Sequence, residues 1–302
     1  MNFQALWAYQ AERFPLAKTA PILAVFSAAS IAVSAELADR PLPGWGAFVT
    51  GFIVAFLIFF QMRACDEWKD LEDDKRYRPD RPIPRGLVSL KLILSLGALS
   101  MPIAVLAIWL WHPPVLWLLA LVWVWLAAMT AEFGVPEWLK ARPVIYLVSH
   151  MAIMPLIDLL LTGIEWVPGG SVGKGLWLFL LLSLANGCVL EIGRKLWAPE
   201  NEIAGVDTYS ALWGPARAAS IWSVTVLMSF ALLLGVGMAT GVFWMTLFLG
   251  AIGLAVCLRS AVAYARNPND QAEKRMDTIA GLWVFACYAI AGFLPLVMGV
   301  FS

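Results

Sequence analysis

Charge is what this sequence has least of. Of its 302 residues only 14% are Asp, Glu, Lys or Arg, where a soluble domain carries about 25%. Beside 61% hydrophobic residues and a mean hydropathy of +0.77, that shortage excludes an ordinary water-soluble globule and indicates a polytopic membrane protein. Net charge is absent too, 21 basic residues balancing 21 acidic ones, so no basic face is on offer to a nucleic acid. The four cysteines, Cys65, Cys188, Cys257 and Cys287, form no CxxC pair and read as free thiols rather than a disulfide or metal framework. Only two histidines are present, His112 and His150, far apart in sequence. Each reads as a satisfied or interfacial imidazole, with a ring shared with carboxylates as the alternative. The first twenty residues lack the basic region, apolar core and cleavage site of a signal peptide. Phe3, Leu6, Trp7 and Phe14 can share one helical face there, which predicts an interfacial amphipathic helix.

Apolar runs are what the sequence has in abundance. Crossing the hydrocarbon takes roughly 20 apolar residues, and that length predicts nine spans, at about 19–36, 44–62, 89–111, 114–131, 143–163, 173–192, 215–238, 242–264 and 277–300. Sixteen tryptophans suit the many helix ends at membrane–water interfaces. With nine spans, the N-terminus and the loops after spans 2, 4, 6 and 8 share one side. That side holds all of the 21 Lys and Arg residues except Arg40 and Lys174, so the positive-inside rule makes it cytoplasmic. The two longest polar loops, 63–88 and 193–214, lie on it together.

The first of these loops carries the densest charge in the chain, "DEWKDLEDD". If the second span continues as a helix through residue 74, Asp66, Asp70 and Asp74 line up on one face, with Glu67 next to Asp70. Like charges so spaced repel, and a divalent cation relieves them. Mg²⁺ in particular takes one or two carboxylates and lets substrate phosphates complete its shell. The plain alternative is a solvated loop whose acids are neutralised by Lys69, Lys75 and Arg76. Next comes "YRPDRPIPRG", where prolines stiffen the chain and hold Arg78, Arg81 and Arg85 as forked donors suited to a diphosphate.

"DEWKDLEDD" followed by "RPIPRG" resembles the first signature of the UbiA superfamily of intramembrane prenyltransferases, NDxxDxxxD and then an RP-(I/L)-P-x-G turn. On that resemblance Asp66 takes the Asn position and Glu67, Asp70 and Asp74 the three Asp positions. Arg81, Pro82, Pro84 and Gly86 match the turn. The resemblance implies one all-α domain over residues 1–302, with nine transmembrane helices around a central cavity and charged cytoplasmic loops. Residues 19–131 and 143–264 are candidate pseudo-repeat halves, and 277–300 a final helix.

The second loop, "LEIGRKLWAPENEIAGVDTYS", falls where that family carries another acidic motif, often DxxxD, and a G-(I/V)-x-T segment. Gly205, Val206 and Thr208 match the segment. The acids are Glu191, Glu200, Glu202 and Asp207, with no DxxxD. The resemblance implies Asp66, Glu67, Asp70, Asp74 and Glu191 as catalytic carboxylates, with Glu67, Asp70, Asp74, Glu191 and Glu202 as ligands of Mg²⁺. Lys75, Arg81, Arg85, Arg194 and Lys195 are the expected diphosphate contacts. Lys140 and Arg142 of "EFGVPEWLKARP" join them, as does Asn186, which points into the same mouth or bonds across helices. A Glu191–Lys195 intrahelical ion pair is the plain alternative for the second loop. Asp158 within the fifth span either reaches the interface or faces a cavity.

The implied reaction transfers a prenyl group from an isoprenoid diphosphate to an aromatic or lipid-like acceptor in a bacterial-type inner membrane, with no obligate protein partner. Terpene cyclisation on the same fold is the near alternative, distinguished by a product formed without acceptor. A divalent-cation or small-substrate transporter is the distant one. Transporters place ion sites near the midplane, whereas these acids sit at the mouth among bases.

Overall fold

The computed structural model describes residues 3–300. Within a bilayer the backbone must satisfy its own hydrogen bonds, and the apolar runs accordingly fold as helices. In chain order they are α1 (Phe3–Arg13), α2 (Leu16–Leu37), α3 (Trp45–Lys69), α4 (Leu71–Tyr77), α5 (Leu90–Trp111), α6 (Leu116–Thr130), α7 (Pro136–Lys140), α8 (Pro143–Met151), α9 (Ile153–Gly169), α10 (Leu176–Gly193), α11 (Tyr209–Trp213), α12 (Pro215–Ala239), α13 (Phe243–Arg266) and α14 (Asp270–Val300). The described residues contain no strand. Among the described residues nine segments are long and apolar enough to span: α2, α3, α5, α6 with the turn before it (Pro113–Thr130), the α8–α9 pair, α10, α12, α13 and α14. This is the polytopic all-α bundle the sequence predicts.

The differences lie at the ends. α3 continues to Lys69, well beyond residue 62, because outside the hydrocarbon a polar helical turn costs nothing to expose. α14 starts earlier than predicted for the same reason, with its Ala272 amide capped by Asn269 at 2.9 Å and an Asp270–Lys274 pair at 2.7 Å. The fifth span is broken between α8 and α9 at Ala152. Pro155 has no N–H for the carbonyl of Met151, four residues back, so the helix opens there.

α2 and α10 run through the middle of the bundle, with 61% and 67% of their spanning windows buried against 28% for α5 and α13. Small residues on α2 let neighbours approach closely: a Cβ on Gly292 of α14 would lie 2.5 Å from the Ala29 Cα. Asp158 does not reach the interface. It is fully buried, accepting from Ser30 Oγ at 2.7 Å and Tyr288 OH at 2.5 Å, and so ties α2, α9 and α14 together. At the end of the bundle away from the acidic loops, Arg40 forks onto Glu165 at 2.7 and 2.8 Å, and Ser34 adds a bond at 2.7 Å. The four cysteines are free.

A helix is present where the amphipathic one was predicted, but α1 ends at Arg13, before Phe14, and its buried residues are Ala5 and Tyr9. It lays Ala5 and Tyr9 onto Ala64, Ile83, Val88 and Ile93 while Phe3 and Trp7 remain exposed.

Candidate functional site at the charged end of the bundle

α3 and α4 meet at Asp70, and the helical hydrogen bonding continues through the junction. The amides of Asp70, Asp74 and Arg78 donate to the carbonyls of Asp66, Asp70 and Asp74 at 2.9, 2.8 and 2.9 Å. The backbone register that aligns the three aspartates is therefore present, but their side chains have different surroundings. Asp74 is buried, held by Arg81 at 2.8 and 3.0 Å and by Arg78 at 2.7 Å. Asp66 has only Arg63, at 3.6 Å. Among the described residues Asp70 has no cation within 4 Å. Burial, and then the charge of Asp74, raise the Asp70 carboxyl above its usual range.

Glu67 points away from this pair. Its buried carboxylate accepts from Arg13 Nε at 2.6 Å and from Tyr9 OH at 3.4 Å, both on α1. Of the basic residues expected to meet a diphosphate, several are engaged elsewhere. Arg81 is spent on Asp74, Lys75 pairs with Glu72 at 2.7 Å on the exposed face, and Arg85 pairs with Glu12 of α1 at 2.6 Å. Arg142 lies over the Trp138 ring at 4.3 Å, and Lys140 is exposed.

The second loop converges on the same place. Glu191, in the last turn of α10, is clasped by Arg194 and by Lys195 at 3.1 Å, so the intrahelical pair foreseen as the plain alternative is present. Arg194 does more than neutralise Glu191. The Glu191 carboxylate beside it, and also the charge of Asp66, hold its guanidinium above the usual value. The loops also touch sterically. Gly205, at φ +81°, lies under the Tyr77 ring, where a Cβ would meet ring carbons at 2.2 Å. Glu202 is a staple within its own loop, accepting from Thr208 at 2.7 and 2.8 Å and from Ser210 at 2.7 Å. Asn186 bonds across helices, accepting from Ser229 at 2.7 Å.

Between the motifs stands a group that sequence reasoning missed. Lys69 reaches Glu132 at 2.6 Å and the Tyr146 hydroxyl at 2.7 Å. The His150 ring stacks on Tyr146 with centroids 4.0 Å apart, its Nε2 3.4 Å from Lys69 Nζ. His150 Nδ1 lies 3.0 Å from the Tyr146 carbonyl, which can only accept. Nδ1 therefore carries the proton, and His150 is the satisfied imidazole of the two readings. The one sequence signal here was Gly134 after "AEF"; nothing local announced that Glu132 would meet Lys69.

Among the described residues no three His, Cys, Asp or Glu side chains are gathered tightly enough to enclose a metal ion. Asp66 and Asp70 nevertheless fit Mg²⁺, which asks for one or two carboxylates and completes its shell with water and phosphate. Asp70 has no cation within 4 Å among the described residues, and Asp66 has only Arg63, at 3.6 Å.

The profile of the UbiA prenyltransferase family matches residues 23–285. A solved structure described as that of a digeranylgeranylglyceryl phosphate synthase in membranes aligns with a TM-score of 0.62, over 96% of this chain and 99% of that one, at 16% identity. At that identity the likeness is one of fold. No curated protein matches significantly.

Proposed function

The chain belongs to the UbiA prenyltransferase family, and from that premise we propose that its charged mouth carries out Mg²⁺-dependent prenyl transfer from an isoprenoid diphosphate to an acceptor held in or near the membrane. The observation that carries this is the convergence of the two charged loops, with Gly205 of the second packed under Tyr77 of the first and Arg194 and Lys195 both on Glu191 at the end of α10. Cations beside carboxylates at one mouth are where a substrate rich in negative oxygen and its counter-ion would lodge.

Asp66 and Asp70 would hold the metal, with Glu191 as a further carboxylate. Bound there, Mg²⁺ would supply positive charge toward the diphosphate leaving group. Arg194 and Lys195 donate to its oxygens and stabilise the charge that develops on them. Arg78 and Arg81 hold Asp74, which keeps the loop rigid. Glu67, anchored to α1, fixes the outer face of the acidic helix, so it serves as a support in place of the ligand role implied by the resemblance. The isoprenoid tail lies among the apolar helices below, where water is excluded from the allylic centre. The charged loops face the cytoplasm of a bacterial-type inner membrane, in keeping with the one-sided Lys and Arg distribution.

The test is diphosphate release by purified protein given geranyl, farnesyl and geranylgeranyl diphosphates, with Mg²⁺ or EDTA, with and without an acceptor panel. Metal-dependent release that requires an acceptor is expected. Release without acceptor, giving a cyclic product, would turn the assignment to cyclisation, and no release from any donor would overturn it.

A further inference from the structure

Glu132 lies just beyond α6 in a backbone that few residues tolerate. Glu132, Phe133 and Gly134 have φ of +51°, +53° and +73° in succession, and two adjacent non-glycine residues in the left-handed region are strained. This turn presents the Glu132 carboxylate to the inside, 7% exposed. Oε1 takes both available donors, Lys69 Nζ at 2.6 Å and Tyr146 OH at 3.2 Å. Oε2 is enclosed and has no partner. A buried carboxylate oxygen left without a hydrogen bond calls for an explanation, and here the surroundings supply one. Lys69, which Glu132 holds, directly precedes Asp70 in the chain, so the orphaned oxygen lies beside the mouth where the diphosphate is proposed to bind.

Resting on that reading of the mouth, we propose that Glu132 is the acceptor's catalytic partner: Oε2 receives the reacting hydroxyl of an alcohol or phenol and takes its proton. The acceptor oxygen bonds to C1 of the allylic group as the C1–O bond to diphosphate breaks. The bonding pair leaves with the diphosphate, the hydroxyl proton moves to Oε2, and the product is an ether. With Lys69 on Oε1, Oε2 is the oxygen left to take that proton. The same charges define the acceptor class. Lys69 is already committed to Glu132, so an acceptor with a carboxylate next to its reacting atom meets the Glu132 carboxylate with no free cation to offset it.

The experiment compares wild type with Glu132→Gln, which keeps the shape but cannot take a proton. Primary alcohols and phenols are offered beside matched carboxylic acids, and prenyl transfer, affinity for a non-reacting thio-diphosphate analogue and melting temperature are read together. Wild type is expected to form ethers with neutral hydroxyl acceptors at least tenfold faster than with the acids. Glu132→Gln should lose transfer about a hundredfold or more while analogue affinity stays within threefold. Transfer retained within threefold overturns the proposal, as do products joined only through carbon, or a loss of analogue affinity that matches the loss of transfer. If the Gln variant does not accumulate in membranes, Glu132→Asp carries the test. It keeps the charge but withdraws it by about 1.5 Å, one C–C bond, and unchanged transfer there overturns the proposal equally. A wild type that releases no diphosphate from any donor fails at the earlier step, and removes this proposal with the function it rests on.

Discussion

Arg81 reaches back seven residues to place Nη1 between the two carboxylate oxygens of Asp74, at 3.0 and 2.8 Å, while Arg78 takes one of them from the other side at 2.7 Å. The stiff proline turn and the acidic helix are thereby one unit. Asp74 is 2% exposed and the two arginine side chains about a fifth, so this pair is shielded from solvent far better than a surface bridge.

Asp74→Asn should therefore act on stability first. Breaking a buried ion pair costs roughly 3–5 kcal/mol, discounted here to about 2–3 kcal/mol because the arginines are partly wet. Thermal unfolding in detergent is expected to show a clear fall in Tm. A Tm within one degree of wild type would mean that the clamp is ornamental.

Asp70→Asn is expected to do the opposite. The native carboxylate is half-buried, stands beside Asp66 and Asp74, and has no cation within 4 Å among the described residues. Removing its charge relieves repulsion, so metal-free protein should melt slightly higher while turnover is lost. Retained Mg²⁺-dependent turnover in this variant would remove Asp70 from the site.

The raised Asp70 carboxyl also sets a pH dependence. Below its pKa the group is neutral and cannot hold a cation, so activity should fall as pH drops through a midpoint above the ordinary aspartate range of about 4. Because proton and metal compete for the same oxygens, the acid limb of a kcat/KM profile should move to lower pH as Mg²⁺ is increased. A limb insensitive to metal concentration would assign it to another group.

α1 is coupled to the site through Arg13 and Glu67, 54 residues apart and 2.6 Å in contact. Arg13→Ala leaves a buried carboxylate without its cation and should cost about 2–3 kcal/mol. Glu67→Gln alone should cost less. The double variant should recover part of the Arg13→Ala loss, and a double-mutant cycle by denaturant unfolding measures how much. Strict additivity would mean that the pair contributes nothing.

Much of this protein was legible residue by residue. The nine spans, the side carrying the basic residues and the helix ends carrying the acids follow from hydropathy and charge, which accumulate along the chain without reference to its fold. Motif spacing likewise anticipated the backbone alignment of Asp66, Asp70 and Asp74, because an α-helix brings every fourth residue back to the same face. Asp158 and Asn186 were visible as polar residues in apolar spans, but whether they faced an opening or a neighbouring helix was not.

What the chain could not declare by itself is which charges remain free. Seven acids crowd residues 66–80, and local spacing treats them alike. Their surroundings are set when the chain folds: Arg13 removes Glu67 from the mouth, and Arg78 and Arg81 close on Asp74. Lys69 finds Glu132 across the bundle on a strained turn. Coulombic energy falls off with distance and depends on burial, and both are fixed only when the helices pack. Composition and order determined a membrane bundle with an acidic mouth; packing decided that, among the described residues, Asp70 has no cation within 4 Å and Asp66 only Arg63, and that one oxygen of Glu132 is left without a partner.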